Sequence, residues 1–178
     1  ETMSSLRLLR TVDTKVVKDI SITDIFTTDF NLYKIVSSNL KANNSTATGT
    51  NLRLINSSGT VIADDYHYAQ RGHKANTSFS WGASTDESRI WNVFGGIDDG
   101  GQASGSVAFI MNPADSSSYT YVWYGSTGYP SGAYRMYQGY GIHDTADVIT
   151  GFQIENNESA GEFATGGQIK IYGIRVDS

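Results

Sequence analysis

Alternation of apolar and polar side chains dominates this chain, and no stretch repeats apolar residues at the 3.6-residue period of a helix. Successive side chains of a strand point to opposite faces, so the alternation predicts strands buried on one side. The predicted strands are Tyr33–Leu40, Asn51–Ile55, Thr60–Ala63, Thr77–Trp81, Arg89–Phe94, Ser106–Met111, Tyr119–Tyr124, Tyr134–Tyr140, Val148–Glu155 and Gln168–Val176. Their spacing predicts an all-β fold, a single antiparallel β-sandwich that is jelly-roll-like.

Two of these strands carry more detailed expectations. Ser106–Met111 is apolar on both faces, which predicts a central strand that is covered on both sides. In the last strand Ile169 and Ile171 share a face, but the apolar positions then change phase. A β-bulge at Gly173 would return them to the core, and we expect one there.

The domain organisation is predicted from the same pattern. Residues 31–178 read as one sandwich domain, because no linker or internal repeat divides them. Residues 1–30 read differently, with leucines followed by an irregular polar stretch. We interpret this segment either as the first strand of the sandwich or as an arm that docks on a neighbouring subunit.

Composition restricts the partners of the chain. Only 17% of the 178 residues are charged, the net charge is −5, and there is no cysteine. Disulfides, thiolate metal sites and cysteine nucleophiles are therefore excluded. Nucleic acid is not an expected partner because no basic stripe is present. No apolar run reaches the length of a membrane span, so no membrane insertion is expected. Met3 is interpreted as the initiator, which predicts synthesis in the host cytoplasm.

The sequence contains no convincing catalytic pattern. Asp64-Asp65 and Asp86-Glu87 are adjacent pairs, and adjacent strand residues point to opposite faces. Neither pair alone can therefore form the facing carboxylates of a glycosidase. The three histidines are scattered, and a G-x-S-x-G nucleophile motif is absent. We expect a protein that is not an enzyme and that uses no cofactor.

One loop has the composition of a metal site. Asp98 and Asp99 stand in a glycine-rich segment, and carboxylate oxygens in a flexible loop are ligands that Ca²⁺ prefers. The spaced Asp-x-Asp-x-Asp-Gly pattern of a calcium loop is missing. These two carboxylates are the candidate metal ligands of the chain, and solvated loop carboxylates are the alternative.

Aromatic residues cluster in one part of the chain and predict a contact surface. Tyrosine and tryptophan supply rigid, amphipathic area for protein interfaces and for sugar stacking. Alternation sends Tyr121 and Trp123 to one face of their strand and Tyr124 to the other, and Tyr124 to Tyr140 reads as an exposed aromatic loop. The predicted contact residues are Trp123, Tyr124, Tyr129, Tyr134, Arg135 and Tyr137, with a second group formed by Tyr66, His67 and Tyr68. Packing within the protein is the alternative for both groups.

Three segments resemble a known family. Ile149–Ile154 with Gly167–Arg175, Phe109–Thr120 and Asp24–Val36 are similar to strands and turns of tailed-phage virion structural proteins, a group common in marine and cyanobacterial phages. The resemblance covers nearly the whole chain and contains no catalytic signature. It implies a β-sandwich on the surface of an extracellular virus particle, as a capsid decoration, a knob or a tail appendage.

The leading functional interpretation is therefore a non-enzymatic virion structural protein. Its expected partners are further copies of itself, as a homo-oligomer, and other virion proteins. The alternative is a lectin-like carbohydrate-binding module that recognises host surface glycans, since an aromatic surface suits sugars as well as proteins.

Overall fold

The computed structural model describes residues 6–43, 48–75, 78–98, 102–129 and 133–175. Within these ranges the chain forms twelve strands and no helix, hence no helix that could cross a membrane. The strands are β1 (Leu6–Asp13), β2 (Asp19–Ile22), β3 (Leu32–Leu40), β4 (Thr48–Asn56), β5 (Tyr66–Lys74), β6 (Ser78–Glu87), β7 (Ile90–Ile97), β8 (Ser104–Met111), β9 (Thr120–Gly128), β10 (Arg135–His143), β11 (Ile149–Asn156) and β12 (Gln168–Ile174).

Two antiparallel sheets of unequal width pack face to face. The larger has eight strands in the order β1-β12-β3-β8-β9-β10-β5-β6, and the smaller has four in the order β2-β11-β4-β7. The chain passes repeatedly from one sheet to the other, as in a jelly roll, and the β9–β10 hairpin is inserted between β8 and β5. The predicted all-β, jelly-roll-like sandwich is confirmed.

The core lies between the sheets and is built from the inward side chains of both. Phe152 of β11 stacks against Phe94 of β7 at 6.4 Å and against Phe26 at 5.8 Å between ring centroids. Tyr33 and Tyr124 enter the same core from the larger sheet with no exposed surface. Each fully buried aromatic ring removes a large apolar area from water, which stabilises a fold that has no disulfide.

The N-terminal segment contributes one strand to each sheet. β1 pairs with β12 at the edge of the larger sheet, and β2 pairs with β11 at the edge of the smaller sheet. Between them Thr14 accepts a hydrogen bond from the Gly167 backbone through its hydroxyl and donates one to the Ala164 carbonyl. Residues 6–22 therefore lie in the sandwich itself.

β8 is central, as predicted, but only one of its faces is covered. Its inward side chains, such as Ala108 and Ile110, are fully buried. Val107, Phe109 and Met111 point to the opposite face and are only partly buried. The expectation that both faces are covered is wrong, because no second layer lies over this side within the described residues.

Two further expectations change with the structure. Residues 60–63 form only an isolated bridge, Val61 to Ile55, so the predicted return strand is absent there. Gly173 carries no bulge, since β12 keeps a continuous register with β3. A Cβ at Gly173 would lie 2.7 Å from the Phe30 ring, so this glycine accommodates an aromatic side chain. The ladder between β12 and β1 does shift register, but the irregularity lies in β1, between Leu8 and Arg10.

Candidate binding surface

The side of the eight-stranded sheet that faces away from the core is here called the outer face. Its side chains form rows across the strands because the pairing register is continuous from β8 to β5. One row joins Phe109, Trp123, Tyr140 and Ala69, and the next joins Val107, Gly125, Gln138 and Arg71. β6 extends both rows with Ala83 and Trp81.

A shallow cavity of about 680 Å³ lies on the outer face and is here called the aromatic depression. Its raised sides are Trp81 of β6, Trp123 of β9 and Tyr140 of β10, which are 90%, 42% and 64% exposed. Between them the lining residues include the small Ala69 and Gly139. β9 and β10 are each hydrogen-bonded to a strand on both sides, which fixes their backbone. Large exposed aromatic side chains on such strands are typical of a contact surface.

Trp81 and Phe79 were not among the predicted contact residues. Their strand alternates serine or glycine with aromatic residues, which on sequence alone indicates an aromatic face turned to the core. β6 is instead the edge strand of the wider sheet, and its aromatic face is turned outward. The alternation correctly indicates that the aromatic residues share one face of the strand. Whether that face is turned to the core or to solvent depends on the difference in width between the two sheets.

The predicted aromatic loop from Tyr124 to Tyr140 is wrong, because most of it forms the β9–β10 hairpin. Alternation therefore divides the predicted cluster between two faces. Trp123 lies on the outer face together with Tyr140, whereas Tyr124, Arg135 and Tyr137 point to the opposite side. Arg135 Nη1 donates a hydrogen bond of 3.4 Å to the Tyr137 hydroxyl, and Tyr137 packs against the core.

Tyr124 is a core residue, which corrects its prediction as a contact residue. Its hydroxyl donates to the Trp91 carbonyl at 2.8 Å and lies 3.2 Å from Oε1 of Gln70. Burial raises the pKa of this hydroxyl well above its ordinary value, with smaller contributions from Tyr68 and Tyr137. The side chain joins the larger sheet to β7 and is inaccessible to a partner.

Tyr129 and Tyr134 stand at the turn of the hairpin. Their ring centroids are 4.6 Å apart in an edge-to-face arrangement, and Tyr134 is exposed. Both line a second cavity of about 340 Å³ together with Met136 and Arg135. Residues 130–132 lie outside the described residues, and no residue that lines this second cavity also lines the aromatic depression.

The second predicted group is also divided by strand alternation. Tyr66 is fully buried, accepts a hydrogen bond from the Leu54 backbone at 2.7 Å, and has its pKa raised mainly by burial. Its prediction as a contact residue is therefore wrong. Tyr68 shares the inward side, packs against the core and also has a raised pKa, chiefly through burial. His67 points outward, with Nε2 lying 2.7 Å from Oδ2 of Asp144.

The two predicted metal ligands, Asp98 and Asp99, are not shown to belong to a group of metal-binding side chains. Asp98 is buried, and its backbone carbonyl accepts a hydrogen bond from Ala42 at 3.1 Å. Asp99 lies outside the described residues. In the parts of the chain that the structure describes, no three histidine or carboxylate side chains converge on one point. Calcium binding at this loop stays a prediction.

Comparison with known proteins gives only weak likenesses. No family model and no curated protein matches the chain. Among solved structures, the CBM2 module of the Lactobacillus casei BL23 phage J-1 evolved Dit aligns with a TM-score of 0.28 and 8% identity, over 90% of this chain and 70% of that one. Chains of infectious bursal disease virus, strains Gx and Gt, align with TM-scores of 0.18 and 0.16 and identities of 11% and 10%. These alignments cover 96% and 93% of this chain but only 41% and 42% of the viral chains.

All three neighbours come from a phage or a virus. At such scores and identities they carry no argument about what this chain does. The outer face of the larger sheet is therefore the basis of the proposed function.

Proposed function

We propose that this protein is a non-enzymatic module displayed on the surface of a virus particle, and that it binds carbohydrate through the aromatic depression. The observation that carries the binding part is Trp81, a tryptophan with 90% of its surface exposed on a strand. Leaving such a side chain in water forgoes a large gain from burial. A role in contact explains why this position is tryptophan.

The shape of the depression favours a sugar over a protein helix or strand. Aromatic rings on separate strands surround a floor of small residues, so flat rings can approach closely. The apolar C–H face of a sugar ring stacks on such side chains, and its hydroxyl groups reach polar neighbours. Gln138 supplies an amide in the lining of the depression.

Placement on a virus particle is supported by the sequence resemblance to tailed-phage virion proteins and by the low charge of the chain. Immunogold labelling of purified particles from the source culture, with an antibody against this chain, tests it directly. We expect label on the capsid or tail. Clean particles together with labelled culture medium or host cells would end the virion part of the proposal.

Binding by the depression is tested by replacing Trp81 with alanine and applying the protein to a glycan array. Trp81→Ala removes an exposed side chain, so the fold is expected to persist. We expect the unmodified protein to bind a subset of the arrayed glycans and the Trp81→Ala variant to lose this binding. The matched control is Tyr119→Ala, which removes an exposed aromatic residue that does not line the depression. Equal retention by all three proteins would contradict the assignment.

A neighbouring part of the outer face supports self-association. Val36, Val107, Phe109 and Met111 form an apolar strip on β3 and β8 with no covering layer within the described residues. These two strands, ~4.8 Å apart and about seven residues long, present roughly 220 Å². Two copies face to face would bury about 450 Å², far less than a stable dimer needs, so the contact expected here is weak and concentration-dependent. We expect a second copy there, and sedimentation velocity of Phe109→Lys against the unmodified protein tests it.

A further inference from the structure

Arg71 is a cation on the outer face and has no partner among the described residues, in contrast to Arg53 and Arg89 on the other side of the sandwich. Arg71 of β5 is exposed and lines the aromatic depression. Its Cα pairs with Trp81 on one side and with Gln138 on the other. Its guanidinium makes no hydrogen bond or ion pair with any described residue. The five donors of this group therefore point into solvent from within an aromatic surface.

Arg53 and Arg89 differ from Arg71 in having a carboxylate partner. Both of those arginines pair with Glu155, at 3.2 Å and 2.6 Å. The whole chain carries a net charge of −5, so carboxylates are plentiful. Arg71 nevertheless has no carboxylate partner among the described residues, and it is the only charged residue that lines the depression.

The spacing of the aromatic rings sets the size of the ligand. Trp81 and Tyr140 are two strands and two residues apart, which separates their Cα atoms by roughly 12 Å. Arg71 lies beside Trp81 on the same row. A ligand that stacks on both rings must therefore be longer than one sugar ring and must place an acceptor near Trp81.

We propose that the aromatic depression binds an oligosaccharide that carries a carboxylate, a uronic or sialic acid, with the carboxylate held by Arg71. The inference rests on the proposed function and specifies its ligand. A guanidinium matches a carboxylate in a bidentate geometry, and such charge-assisted bonds are about twice as strong as neutral ones. Sugar rings stack on Trp81 and Tyr140, while the Gln138 amide receives hydroxyl groups. A long polyphosphate would need several cations, and the depression holds one.

Matched acidic and neutral sugars test the proposal. Isothermal titration calorimetry of the full chain uses trigalacturonic acid against its methyl ester, and 3′-sialyllactose against its own methyl ester. We expect at least one acid to bind about tenfold or more tightly than its neutral partner, because the carboxylate contact is lost in the latter. Equal affinity within both pairs would overturn the role of the carboxylate.

Variants assign the effect to Arg71. Arg71→Gln keeps hydrogen-bonding capacity but removes the charge, and we expect the affinity for the acid to fall to that of the neutral sugar. Arg7→Gln is the control, since Arg7 is exposed on β1 at the opposite edge of the same sheet. An equal loss in both variants would show general electrostatic attraction and contradict a site.

The indole N–H resonances of the three tryptophans locate the ligand independently. Trp81 and Trp123 line the depression, whereas Trp91 lies on β7 of the smaller sheet. We expect saturable shifts at Trp81 and Trp123 and none at Trp91. If neutral glycans shift these signals and acids bind no better, the proposed function stands and the charge inference fails. If no sugar shifts them, both fail.

Discussion

The outer faces of the two sheets differ in how far their side chains are satisfied within the chain. On the smaller sheet Glu155 receives Arg53 and Arg89, and Arg89 also donates to Asn157 at 3.1 Å. Gln153 donates to the hydroxyl of Ser21 at 3.0 Å. On the larger sheet Arg71 has no such partner among the described residues.

The difference is between a face whose arginines have a carboxylate partner within the chain and a face with an arginine that has none among the described residues. Both faces are built on strands of one sandwich, so the strand geometry alone does not require exposed aromatic residues. Polar side chains with internal partners keep a sheet in water without exposing apolar area. Exposed tryptophan beside an unpaired guanidinium leaves both groups available to another molecule. The outer face of the larger sheet is therefore the one that we propose for contact with another molecule.

The largest expected effect is a difference in stability between substitutions on the two sides of the larger sheet. Tyr124→Ala empties a buried site between the sheets and is expected to lower the free energy of unfolding by about 3–5 kcal/mol. Tyr140→Ala, from the paired strand but the outer face, is expected to change it by less than about 0.5 kcal/mol. Urea denaturation of both variants measures the difference. Similar losses would mean that the outer face is part of the stabilising core.

The next effect concerns the ion-pair network of the smaller sheet. Glu155→Gln leaves Arg53 and Arg89 largely buried without their carboxylate, and we expect a loss of about 2 kcal/mol. Arg71→Gln on the larger sheet breaks no internal bond and should leave the unfolding midpoint unchanged. Chemical denaturation at neutral pH compares the two. A larger loss for Arg71→Gln would show that this guanidinium has a structural partner.

The fold was largely predictable from sequence, whereas the position of the candidate site was not. Period-2 alternation is a local signal, so it identified the sandwich and assigned Trp123 and Tyr124 to opposite faces. Which face is inward depends on how far the second sheet extends, and that is a property of the whole topology. Phe79 and Trp81 were missed for this reason, and Tyr66 and Tyr124 were placed on the surface. A glycine within a strand, such as Gly173, fits either a bulge or a close neighbouring side chain, and the sequence alone does not distinguish the two.

A smaller effect is the pH dependence of the inward side of β10. His143 is buried against the Tyr66 ring at 5.3 Å, and burial lowers its pKa below the ordinary 6.5, although nearby aspartates oppose the shift. The unfolded chain therefore binds a proton at this histidine more readily than the folded chain does. The contribution of neutral His143 to the free energy of unfolding is fully present above pH 6.5 and is lost as the pH falls below it. His143→Asn should weaken this dependence, measured as urea midpoints between pH 7 and pH 5. An unchanged slope would assign the dependence to other groups.

The smallest expected effect tests whether the outer face is kept open at a cost in stability. Gly125 lies on this face between Val107 and Gln138, and a Cβ there would meet no atom within 4 Å. Its φ is not positive, so the backbone does not require glycine. Gly125→Val should raise the free energy of unfolding by about 0.5–1 kcal/mol, because valine suits a strand better than glycine.

The same variant should weaken association through the outer face, since its side chain fills the adjacent cavity of about 540 Å³ that Val36, Val107 and Gln138 line. Thermal unfolding and sedimentation velocity of one preparation measure both properties. A matched Gln153→Val on the smaller sheet removes the hydrogen bond to Ser21 and should leave association unchanged. A gain in stability at Gly125 with a loss of association would show that this position favours contact over stability. A gain with association intact would confine the contact surface to the aromatic depression.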